Sequence, residues 1–118
     1  MNYLENIEKI TKTNKNYRKV IHTTKQQQLV IMNIPYNEEI GIEKHETTTQ
    51  FIKIEQGKGE AIIKDKIYNI KSGDVVMVAP NTEHNIISRS KSGLKLYTIY
   101  SPPEHKKNLI QKNKPNDK

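Results

Sequence analysis

Between residues 17 and 100 the chain alternates short runs of Val, Ile, Leu and Met with polar breaks, and no apolar stripe holds a helical spacing for long. Runs at 17–23, 28–34, 40–45, 50–56, 60–64, 66–70, 74–78, 85–88 and 94–100 read as strands. They are parted by turn chemistry: Pro35 to Glu39, Gly57-Lys58-Gly59, Asp65, Lys71-Ser72-Gly73 and Lys91-Ser92-Gly93. About nine short strands with regularly spaced turns predict an all-β domain, a sandwich or an antiparallel β-barrel. Ahead of it, Leu4, Ile7 and Ile10 repeat at i, i+3 and predict a short helical turn packing on a sheet, with 11–16 as loop. After Ser101-Pro102-Pro103 the pattern stops. Residues 106–118 hold only Leu109 and Ile110 against five lysines, too little apolar surface to offset chain ordering. The expected organisation is a lead-in over 1–16, the barrel over 17–103 and a disordered basic tail over 104–118 that adds little to stability.

Composition narrows the function classes. At 118 residues the chain holds one domain and one modest core. With no cysteine there are no disulfides, thiolate metal sites or cysteine nucleophiles. No apolar run approaches the roughly 20 residues that span a bilayer, and residues 1–5 lack a signal-peptide core, so a soluble, cytoplasmic protein with no membrane partner is expected. The net charge of +7 invites a nucleic-acid reading, but +4 of it lies in residues 1–25 and +4 in 105–118, leaving −1 for the body. Eighteen of the twenty basic residues are Lys and aromatics are 6%, which argues against stacking platforms or Arg-based base readout.

Four positions carry candidate chemistry. Glu43 and His45 stand two apart on an expected strand and so leave the same face. Gln50 opens the next strand, and His84 follows the Ala79-Pro80-Asn81-Thr82 turn. Two imidazoles and a carboxylate are the ligand types of a facial triad with open positions, and Gln50 adds a neutral oxygen. By spacing alone a Glu-x-His pair on a strand is more often surface decoration than a site.

The stretch Gly41-Ile-Glu43-Lys-His45 through Gln50-Phe51 to Gly57 resembles the first motif of the cupin superfamily: a glycine, a His-x-His pair, an acidic residue and a later glycine. Gly73-Asp74 through Pro80-Asn81 to His84 resembles the second, in which a Gly-Asp turn leads through a strand to a metal-binding histidine. Residues 96–103 resemble the closing strand of small single-domain cupins. Glu43 stands where the first histidine usually lies, Gln50 where the glutamate usually lies, and Asn81 replaces a glycine. One carboxylate is thereby kept but moved. Asn tolerates the left-handed backbone that such a turn needs.

The resemblance implies a cupin (double-stranded β-helix) barrel in which Glu43, His45, Gln50 and His84 hold a divalent transition metal, Fe, Mn, Ni or Zn. It further implies a small-molecule ligand and a homodimer. A metal-dependent enzyme of oxygenase (dioxygenase-like) or isomerase type, a non-catalytic binding module and a dimerising structural barrel all stay open, because the fold hosts many reactions. His22 and His105, outside both motifs, are expected on the surface. The glycines and Asp74 are expected to serve turns, and Phe51, Tyr97 and Tyr100 to fill the core.

Overall fold

The computed structural model describes residues 2–116. These form one short helix, α1 (Ile7–Thr13), and nine strands: β1 (Arg18–Thr23), β2 (Gln28–Ile34), β3 (Thr49–Gln56), β4 (Lys58–Ile63), β5 (Lys66–Lys71), β6 (Val75–Val78), β7 (His84–Ser88), β8 (Leu94–Ser101) and β9 (Ile110–Gln111). All named pairings are antiparallel. A six-stranded sheet runs β6-β3-β8-β2-β1-β9 and a three-stranded sheet runs β5-β4-β7. The all-β, antiparallel fold is as expected, but the two sheets do not close into a continuous barrel; they face each other as a jelly-roll sandwich.

Alternation fills the space between the sheets. Val30, Met32 and Ile34 of β2, Ile52 and Ile54 of β3, and Leu94, Leu96 and Tyr100 of β8 point inward and meet Ala61 of β4 and Ile86 of β7. Gly59 is needed where β4 crosses β7, because a Cβ there would run into the Ile87 carbonyl. In the β5–β6 turn the Asp74 carboxylate accepts from the Lys71 amide at 2.8 Å, the expected turn role.

Strand parity separates the aromatic residues. Tyr97 and Tyr100 are three positions apart and therefore lie on opposite faces. Tyr100 is buried, whereas Tyr97 stacks on half-buried Phe51, ring centroids 6.3 Å apart, on the outer face; neither Phe51 nor Tyr97 is a core residue.

The N-terminal turn also differs from expectation. α1 starts after an Asn6 cap whose side chain accepts from the Lys9 amide at 2.8 Å, and it extends through residues expected to be loop. Leu4 lies outside it and is 94% exposed, while Thr11 is the buried helix residue. The helix end is held by Lys95, whose Nζ donates to the Asn14 carbonyl at 2.5 Å.

Two further differences position the site. Residues 40–45 do not form a strand; Gly41 has φ +105° and breaks the extended run. The segment is instead laid along β7 by bridges at Glu39–Ile87 and Glu43–His84. The basic tail is partly ordered: Ile110 and Gln111 pair with Lys19 and Arg18, the Tyr17 and Val20 amides donate to the Lys112 and Leu109 carbonyls, and Leu109 packs on the core. The edge of β1 offers unpaired backbone groups, and the two apolar residues of the tail sit where they can use it. Asp117 and Lys118, the end of the expected tail, lie outside the described residues.

Truncation after His105 is therefore expected to lower the melting temperature by about 4–8 °C, the shift that losing roughly 1 kcal/mol produces in a small domain. A thermal melt followed by circular dichroism checks this; an unchanged midpoint would show that β9 contributes nothing.

Candidate metal centre

The site is built around one backbone pair. The Glu43 amide donates to the His84 carbonyl and the His84 amide to the Glu43 carbonyl, both at 2.9 Å. Residues directly opposite in an antiparallel pair project to the same face, so the carboxylate and the imidazole are placed side by side. The Asn85 side chain supports the arrangement by accepting from the Gly41 amide at 2.8 Å and donating to Glu39 at 2.6 Å. Asn81 adopts the left-handed conformation, φ +63°, and its amide donates to the His45 carbonyl at 2.7 Å, so the turn before His84 also fixes His45.

Ligand-type atoms of Glu43, His45 and His84 lie within 4.8 Å of one another, a group that could hold a metal ion. Glu43 Oε1 is 3.5 Å from His45 Nε2 and 3.9 Å from His84 Nε2. Buried Gln50, from β3 in the opposite sheet, puts Oε1 2.9 Å from His84 Nε2, and its amide nitrogen donates to Thr98 Oγ1 at 3.1 Å. All four residues expected to share a site come together here.

The ring orientations are informative. His84 Nδ1 lies 2.9 Å from the Thr82 carbonyl, which can only accept, so Nδ1 carries a hydrogen there, while Nε2 faces the Gln50 and Glu43 oxygens. His45 Nδ1 faces Glu104 Oε2 at 3.4 Å, and its Nε2 is buried and faces Glu43 Oε1 at 3.5 Å. An outer oxygen on Nδ1 with Nε2 aimed inward is how metal-ligating histidines are held.

Charge follows from packing. Burial works to raise the Glu43 pKa, but the His45 hydrogen bond and the neighbouring His45, Arg18 and His84 outweigh it and leave the carboxyl below its ordinary range. The Glu43 hydrogen bond, with further help from the Glu43 and Glu104 charges, raises the His45 pKa against the opposing effect of burial. The Tyr100 hydroxyl is pushed well up, first by burial and then by Glu43.

Four neighbours escaped the motif reading. Arg18 is buried, with Nη2 4.0 Å from Glu43 Oε2; its shared parity with inward-facing Val20 was the available signal. Glu104 orients His45. Tyr100 presents its ring edge-on between His45 and His105, at 5.7 and 5.1 Å. His105 is not a surface residue: it is half-buried, and burial followed by Arg18 depresses its pKa to about 4. Nothing in the local pattern after Pro103 signals Glu104 or His105, because Gln28, across the fold, brings them in. His22, by contrast, stays away from the cluster and stacks on Tyr3, ring centroids 5.1 Å apart.

With this geometry in view, the cupin domain family model matches residues 30–100, and the chain belongs to that family. It is 38% identical over 117 residues to the uncharacterized protein L612 of Acanthamoeba polyphaga mimivirus, covering 96% of this chain and 73% of L612. It is 36% identical over 109 residues to the uncharacterized protein YrkC of Bacillus subtilis, covering 87% of this chain but only 59% of YrkC. Among solved structures, BH2720 of Bacillus halodurans superposes with a TM-score of 0.92 at 30% identity, covering 95% of this chain and 89% of that one. KdgF from Halomonas sp. shares the fold, with a TM-score of 0.70 at 18% identity over 74% of this chain and 78% of its own.

In the metal-free protein, an NMR titration of the imidazoles is expected to place the His45 midpoint above the usual 6.5 and that of His105 near 4. The stabilisation linked to His45 is then full below about pH 6.5 and lost as pH rises through its folded midpoint. His105 acts oppositely: stability falls as pH drops from about 6.5 toward 4, because the unfolded chain takes up that proton first. Interchanged midpoints would contradict the site electrostatics.

Proposed function

We propose that this chain is a small metal-dependent cupin in which Glu43, His45, Gln50 and His84 hold a divalent transition metal, Fe, Mn, Ni or Zn. The proposed activity is of oxygenase or isomerase type on a small anionic or sugar-like molecule. The observation that carries the reading is the paired orientation of the histidines, with both Nδ1 atoms turned onto oxygens and both Nε2 atoms facing Glu43. Two imidazoles and one carboxylate suit a transition ion, whereas Ca and Mg prefer all-oxygen shells. When bound, the ion supplies Lewis-acid chemistry or an anchor for an oxygen ligand. The protein's own part is to keep Glu43 ionised and to aim both rings at it, with buried Tyr100 edge-on to His45.

A non-catalytic binding module is the second reading. It is favoured by Tyr100, whose buried hydroxyl stays protonated at neutral pH and so supplies no base beyond the ligand set. Turnover by the metal-loaded protein separates the two. The same proposal includes cytoplasmic location and a homodimer. Exposed Tyr68 of β5 and Val75 and Met77 of β6 lie at sheet edges and line one groove, an apolar surface that supports self-association. Sedimentation showing a monomer at high micromolar concentration would overturn the dimer.

Metal analysis of protein purified without chelator is expected to show a transition ion bound at pH 7.5. Affinity should fall as pH drops below about 6.5, where histidine protonation competes. His84→Ala should remove most of the metal, Gln50→Ala should weaken binding less than His45→Ala, and His22→Ala should change nothing. No uptake at pH 7.5, or equal effects at His22 and His84, would refute the site.

A further inference from the structure

Arg18 is a buried guanidinium with an unfinished set of partners. Its Nη1 donates to Gln111 Oε1 at 2.9 Å, Nη2 stands 4.0 Å from Glu43 Oε2, and its carbon lies 5.2 Å from the Tyr17 ring centre. The Nε–H is buried with no hydrogen-bond partner. Arg18 is 7% exposed and always protonated, so this is an unspent donor on a permanent cation. A second orphan is close by: His105 Nε2 is likewise buried and unpartnered, its ring edge-on to Tyr100, which also meets His45. Buried polar atoms are rarely left unmatched, and two beside one cluster ask for a common occupant.

The charge balance specifies that occupant. Arg18 cancels Glu43, so with neutral imidazoles and Glu104 a divalent ion would leave the neighbourhood with excess positive charge. A partly buried cationic site recruits an anion. A surface cavity of about 830 Å³, lined by Val20, His22, Lys25, Pro103, His105 and Lys107 among others, reaches His105. Its Lys25 and Lys107 draw negative ligands toward it.

We infer that Arg18 and His105 form a carboxylate-binding subsite beside the metal ligands, which makes the ligand of this protein a small carboxylate held by Arg18 Nε and His105 Nε2. The inference deepens the metal-centre reading and rests on it for the coupling between the two sites. By linkage, carboxylate and metal must each tighten the binding of the other.

The test uses the full chain loaded with Co²⁺, whose visible absorption responds to nearby ligands, and titrates it with succinate against neutral succinamide at constant ionic strength. The wild type should give a saturable response to succinate alone. Compared at saturating Co²⁺, Arg18→Gln should bind succinate at least tenfold more weakly, and His105→Gln should do the same in lesser degree. In metal-free protein, the side-chain Nε–H resonance of Arg18 should shift with succinate at higher concentrations. That readout separates the two proposals, because a protein that binds no Co²⁺ but shows this shift loses the metal reading and keeps the subsite. The subsite is overturned if succinate produces no saturable response in either form, if succinamide acts equally, or if folded variants respond as the wild type does. Should Arg18→Gln fail to fold, His105→Gln decides by the same criterion.

Discussion

The reciprocal pair of backbone hydrogen bonds between Glu43 and His84 is the constraint on which the site depends. It joins residues 41 apart in sequence, where a segment too irregular to be a strand still lies in register with β7. Because the pair is antiparallel and directly opposed, it sets both side chains on one face without any help from side-chain chemistry. Everything else is arranged around that fixed point. Asn81 carries the turn that holds His45, Asn85 holds Gly41, and Gln50 arrives from the opposite sheet with its oxygen toward His84.

Electrostatics then converge on a single carboxylate. Glu43 faces two imidazoles and a guanidinium, so its negative charge is shared among three partners and is never free. Partial burial alone would raise its pKa; these neighbours outweigh that and keep it ionised. The same crowding makes the arrangement sensitive to an added cation, which competes with Arg18 for Glu43. The positive groups are thus as much a part of the site's chemistry as the ligand-type atoms.

The C-terminal segment is drawn into this arrangement by a residue with no chemistry of its own. Gln28 is fully buried, and its amide is satisfied on both sides: it donates to Thr23 Oγ1 and the His105 carbonyl and accepts from the Glu104 and His105 amides. A saturated buried amide is tolerated where a half-satisfied one is not. The clamp puts Glu104 behind His45 and His105 against Tyr100, and β9 then continues along β1 to reach Arg18 through Gln111.

Strand identity was legible in the sequence because period-two alternation and turn residues are local signals. Eight of the nine expected strands lie where the alternation put them, and Asn81 takes the left-handed turn that its side chain permits. Glu43, His45, Gln50 and His84 could be picked out by their resemblance to the two cupin motifs, whereas spacing alone left them only suggestive. Local pattern failed where long-range contacts decide. Ile40 to His45 looks like a strand but is bent at Gly41 and held by β7. Phe51 is apolar but falls on the outer parity, and the lysine-rich tail finds an open edge that composition cannot reveal. Arg18, Glu104 and His105 reach the site through pairing with distant segments. Which residues could bind was written in the chain, but which of them face one another, and with what charge around them, was settled only when the two sheets closed on a common core.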